Sequence, residues 1–183
     1  MIFVSCKKET EKQADIVKSD FNLKTDITDF KKKMTELDTI KIWFNHSVCT
    51  YEGYERMQIT KKSGFIKIRS EYKGERLDYN PEWSVLYEKT LPETDTMWKF
   101  ENFVQRNLHL LNTESEKRTI LEIKHEKDTL RFKSDGGLAK LNLFLGDYYQ
   151  TMRKIHPENK NNIYGVEAPT IHEIIEDETI ETE

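Results

Sequence analysis

At 183 residues, 36% hydrophobic and 34% charged, with 9 Phe, 8 Tyr and 3 Trp, the chain has enough large apolar side chains to pack one domain and too few residues for two. A net charge of -4 gives no basic field overall, which argues against nucleic acid or an anionic membrane surface as a partner. No run reaches the roughly 18 apolar residues needed to span a bilayer.

The chain opens MIFVSCKKETEKQ. A secretory signal ends in an apolar stretch followed by small residues; here Ile2, Phe3, Val4 and Ser5 stand directly before Cys6. The segment FVSC resembles the end of the bacterial lipobox, in which an apolar residue and small residues precede the cysteine that receives lipid. That resemblance implies that Cys6 is lipidated, that residues 1–24 are a signal remnant and flexible tether, and that the protein is a lipoprotein of the cell envelope, on the periplasmic side or the outer surface. With an unmodified Cys6 the same chain would be cytoplasmic. The second cysteine, Cys49, leaves a Cys6–Cys49 bridge as the lesser alternative.

Residues 7–24 are polar, without an apolar period, and read as a spacer. From a cap at Thr25 or Asp26, Ile27, Phe30, Met34 and Leu37 recur at helical spacing, with Lys31, Lys32 and Lys33 expected to face solvent. Strict alternation then predicts a strand in TIKIWFNHSVCTY, with Ile40, Ile42, Phe44, His46 and Val48 on one side and Lys41, Trp43, Asn45 and Ser47 on the other. YERMQIT and GFIKIRSEY flank the turn KKSG, and ERLDY and SVLYEKT extend the same antiparallel meander. The stretch LPETDTMWKFENFVQRNLHLLN predicts a helix opened by Pro92, Glu93 and Asp95, with Met97, Phe100, Val104, Leu108 and Leu111 in one stripe. TILEIKH and DTLRFK form a hairpin, and SDGG leads into a last helix with Leu138, Leu141, Leu145, Tyr148, Met152 and Ile155 on one side, ended by Pro157. After Lys160 there is no Lys or Arg.

This order predicts an α+β fold: an antiparallel β-sheet, meander plus hairpin, packed by two or three α-helices. A single domain over 25–156 is followed by an acidic, poorly ordered tail over 157–183.

No catalytic or metal motif stands out. The five histidines, His46, His109, His125, His156 and His172, share no HExxH or CxxC spacing, and there is no GxSxG, P-loop or GxGxxG. No cofactor or metal is signalled. His46, on the apolar side of its strand, reads as a satisfied, partly buried histidine before a ligand or base. SDGG reads as a cap and turn before an anion cradle. Aromatic and basic residues interleave in IKIWFN and FIKIRSEY, without the glycine-aromatic pattern of sheet-surface RNA binders.

The candidate surface is the wet side of the sheet, where Trp43, Tyr54, Arg56, Lys67, Arg69 and Glu71 would fall; the opposite registry would bury those aromatics as core. Trp43, Tyr54, Arg56, Arg69 and Trp83 are the candidate partner-binding residues. The leading expectation is a non-catalytic, lipid-anchored protein-binding domain, whose partners are a protein and, through Cys6, the lipid bilayer, with no nucleic acid. In architecture and composition the body also resembles the small acidic α+β immunity proteins that mask a toxin's surface, a resemblance that carries no functional residue across. An envelope hydrolase with an unrecognised carboxylate site is the third alternative.

Overall fold

The computed structural model describes residues 18–47, 51–74, 82–111, 118–133 and 138–165. Cys6, Cys49, the strand expected in ERLDY, the SDGG segment and the C-terminal acidic stretch lie outside them.

Period-two alternation builds a six-stranded sheet from β1 (Thr39–Asn45), β2 (Gly53–Lys62), β3 (Phe65–Gly74), β4 (Ser84–Pro92), β5 (Thr119–His125) and β6 (Asp128–Lys133). The strands lie in the order β4-β3-β2-β1-β5-β6, and every neighbouring pair is antiparallel. The β2–β3 hairpin turns on two residues, Ser63 and Gly64, with φ of 51° and 76°. Positive φ at both central positions matches the right-handed twist of the flanking strands.

Four α-helical segments, α1 (Leu23–Asp26), α2 (Phe30–Lys33), α3 (Phe100–Asn107) and α4 (Leu138–Ile155), supply side chains to one core beneath one sheet face. A 3-10 turn, Ile27–Asp29, joins α1 to α2. From the sheet come Ile40, Ile42 and Phe44, Met57 and Ile59, Ile66 and Ile68, Leu121 and Ile123, and Leu130 and Phe132, all buried. Phe44 stacks on Tyr148 of α4 with ring centroids 3.6 Å apart, and Phe103 of α3 meets Phe144 and Tyr148. The α+β architecture expected from the element order is the one observed.

Several local expectations are corrected. The N-terminal helix is capped by the Asn22 side chain, which accepts from the Lys24 N–H, rather than by Thr25 or Asp26. Lys31 is buried rather than solvated: its ammonium lies 3.3 Å from both the Asp95 and the Glu101 carboxylates and donates to the Trp98 carbonyl. Leu37, expected in the apolar stripe, is 60% exposed. The next helix starts at Phe100, because Leu91 and Pro92 finish β4 and the Asp95 carboxylate accepts from the Met97 and Trp98 N–H groups in a turn. Met97 consequently points outward at 66% exposure, and Trp98 takes its place in the core. Packing also extends past 25–156 at both ends, through Phe21 and Leu23 and through Ile163 and Tyr164.

Candidate functional site

The two sheet faces offer two candidates. The covered face holds a polar cluster around Glu55, which sits in β2 at the same phase as Met57 and Ile59 and so points into the core. Its carboxylate accepts from Ser70 Oγ at 2.5 Å, from Tyr164 Oη at 2.7 Å and from Tyr148 Oη at 2.9 Å, and lies 3.2 Å from His46 Nε2. The other ring nitrogen of His46 is 3.3 Å from Tyr149 Oη, and the Tyr87 hydroxyl is 3.4 Å from that of Tyr164. Burial pushes the Glu55 carboxyl up, but the His46 hydrogen bond and charge, with Ser70 and Tyr164, outweigh it and leave it below the ordinary range. Burial, and then the Glu55 charge, holds the phenols of Tyr87, Tyr148 and Tyr164 well above theirs, so all three stay neutral donors.

A carboxylate beside an imidazole is the raw material of general acid-base chemistry. Here both side chains are 1% exposed, and four donors consume the carboxylate oxygens. No substrate atom reaches them in this conformation. The arrangement instead ties the sheet to α4 and to the turn carrying Tyr164, as a satisfied buried network does. A second carboxylate-histidine pair, Asp38 with His125 at 2.8 Å, ties the N-terminal segment, through Ser19 and Thr35, to the far end of β5. His46 is thus satisfied, as its strand position suggested, and more fully buried than the partial burial expected. Among the described residues no three His, Cys, Asp or Glu side chains gather as a metal-binding group, and no helix is long and apolar enough to cross a membrane.

The second face carries no helix among the described residues. Cross-strand register sets Trp43 opposite Arg56 and Glu122, Arg56 opposite Glu71, and Gln58 opposite Arg69. Trp43 stacks on Tyr54 at 5.4 Å and 23°, and the Arg56 guanidinium lies 4.5 Å from the centroid of the Trp83 ring. The structure therefore gathers all five sequence candidates, Trp43, Tyr54, Arg56, Arg69 and Trp83, on one open surface. A depression of about 670 Å³ runs across it, lined by Trp43, Arg56, Gln58, Arg69, Glu71 and Glu122 among others.

The face is also basic. Register and alternation place Lys41 of β1, Arg56 and Lys62 of β2, Lys67, Arg69 and Lys73 of β3, Lys124 of β5, and Arg131 and Lys133 of β6 on it. Among the described strand residues, three carboxylates, Glu71, Glu88 and Glu122, stand against these nine cations. Glu71 is shared by Arg56 and Arg69, Arg69 also reaches Glu88, and Glu122 lies 2.5 Å from Lys124 and 2.7 Å from Arg131. The Arg56 hydrogen bond first, then Arg69, holds the Glu71 carboxyl below its ordinary value.

Sequence reasoning found the aromatic and arginine cluster and missed both the excess of positive charge, hidden by the chain's overall -4, and the Glu55 network. The available signal for the latter was a glutamate in phase with Met57 and Ile59. No protein-family model matches the chain, and no curated protein or solved structure matches it.

Proposed function

We propose that this is a non-catalytic protein-binding domain that a lipid on Cys6 holds at a bacterial cell envelope. The observation that carries the binding half is the sheet face that no described helix covers, with Trp43, Tyr54, Arg56, Arg69 and Trp83 gathered on it. Trp, Tyr and Arg are the side chains that dominate binding energy at protein interfaces, and a concave, half-apolar patch suits a partner better than open water. The anchoring half is supported by FVSC and the polar stretch behind it. Residues 7–17, between Cys6 and the described body, could span at most about 40 Å. The buried, donor-saturated state of Glu55 and His46 lends no support to a hydrolase.

The two halves separate experimentally. A photo-crosslinking residue at Lys67, on the open face, should trap a protein in cells making the chain from its native gene, and the same residue at Leu143, exposed on α4, should not. Equal trapping at both positions, or none at Lys67, removes the binding half. Intact mass of the N-terminal peptide tests the other: a peptide beginning at Cys6 with diacylglycerol and acyl mass supports the anchor, and a free Cys6 thiol overturns it.

A further inference from the structure

We propose that the open sheet face docks an acidic segment of a partner protein, an extended stretch bearing several Asp or Glu side chains. The inference rests on the reading of this face as the binding surface and adds the chemistry of its occupant. Its basis is charge complementarity. The three glutamates of the face are each already held by one or two of its cations. Lys41 and Lys67, both exposed, and half-buried Lys73 make no ion pair among the described residues, so the described face carries surplus positive charge. An acidic segment laid across the strands neutralises it, whereas a basic partner meets a like-charged surface over its whole width. That polarity runs against masking of a basic toxin through this face.

Length and shape agree. Six strands at roughly 4.8 Å spacing put about 24 Å between the outer two, a distance that seven or eight extended residues cross. The aromatic groups serve a peptide better than a base. Trp43 is already stacked on Tyr54 and Trp83 is covered by Arg56, so neither ring pair offers an open slot for intercalation. A nucleic acid carries charge on every nucleotide and would have to lay phosphates over Glu71 and Glu122 near the centre. A peptide can set neutral residues there and place its acids over Lys41, Lys67 and Lys73.

The experiment titrates the full chain with a twelve-residue peptide of Glu, Asp and two aromatic residues, its Glu/Asp→Gln/Asn counterpart, a single-stranded oligonucleotide, and phosphatidylglycerol vesicles, following tryptophan fluorescence and calorimetry. The expected result is saturable binding of the acidic peptide alone, weakened about tenfold between low and physiological salt. The exposed double variant K41E/K67E should lose about tenfold or more in affinity, and K154E on α4 should lose none, each at an unchanged melting temperature. Binding of the neutral peptide at equal affinity, or of the oligonucleotide or vesicles in its place, overturns the acidic-segment proposal. So does a full-length variant with Glu176, Glu178, Glu181 and Glu183 changed to Gln that binds about tenfold tighter, because the chain's own end would then be the occupant. Crosslinking from Lys67 with no binding of the acidic peptide sinks this inference and leaves the protein-binding reading standing; loss of both removes both.

Discussion

Trp43 and Phe44 are neighbours in β1 with opposite surroundings. Phe44 has no exposed surface and is packed against Tyr148, Phe144 and His46, whereas Trp43 is half-buried on a face that carries no helix among the described residues. The contrast holds strand by strand: Glu55, facing inward, is surrounded by neutral donors and one imidazole, and Arg56, facing outward, pairs with Glu71 in contact with solvent. One face spends its polar groups on internal satisfaction and the other leaves charge unneutralised. Stability should therefore reside in one face and recognition in the other, and substitutions that cross this division are the way to test it.

The largest losses belong to the covered face. Phe44→Ala removes a ring from a filled three-ring stack and should cost about 3–5 kcal/mol in denaturant unfolding. Glu55→Gln should cost about 3 kcal/mol, because the amide brings two donors into a site where Ser70, Tyr148 and Tyr164 already donate. If Glu55→Gln unfolds at the parent's denaturant midpoint, the network does not hold the sheet to α4 and its description as a structural tie is wrong.

The same face should make the protein acid-sensitive. Burial holds the His156 imidazole, stacked on Tyr87, below its ordinary value, so the folded state takes up its proton less readily than the unfolded chain. Its contribution is complete above the usual histidine range near 6.5 and declines as pH falls through it. Glu55 and Asp38 add a second decline. Burial pushes Asp38 up, but the Thr35 N–H, the Ser19 and Thr35 hydroxyls and His125 outweigh that and leave it low, as Glu55 is. Carboxyls with depressed folded values stabilise above their unfolded values, and that stability is lost as pH falls below about 5. Melting temperature should thus be level above about pH 7, fall gently toward pH 6 and fall steeply below pH 5. His156→Phe should remove the first decline and leave the second; a variant whose profile still bends near pH 6 would assign that bend elsewhere.

The division between the faces was legible where the sequence is periodic. Alternation through TIKIWFN and FIKIRSEY puts Trp43, Lys67 and Arg69 on the side opposite Ile40, Ile42, Ile66 and Ile68 but leaves open which side is covered; the burial of the four isoleucines decides it. It failed where a residue's role depends on distant chain. Lys31 stands among three lysines and reads as solvated, yet its carboxylate partners Asp95 and Glu101 arrive from more than sixty residues away. Glu55 meets Tyr148 and Tyr164 across sequence separations of 93 and 109, which no local pattern encodes. Pro92 read as a helix opener because a proline before acidic residues fits a first turn; at the end of an edge strand it is equally at home.

The smallest expected effect separates the two roles most cleanly. Trp43→Ala gives up one stacked contact with Tyr54 and part of a half-buried surface, so stability should fall by only about 1–2 kcal/mol, below the loss from Phe44→Ala one residue away. At the partner interface the same truncation removes an aromatic anchor from the centre of the depression, where a tryptophan is commonly worth about 2 kcal/mol or more of binding. Crosslinking yield from Lys67 should therefore collapse in a Trp43→Ala protein that still melts cooperatively near the parent temperature. Should Trp43→Ala destabilise as much as Phe44→Ala while sparing the crosslink, Trp43 would act as core, and the division of labour between the two faces would have to be abandoned.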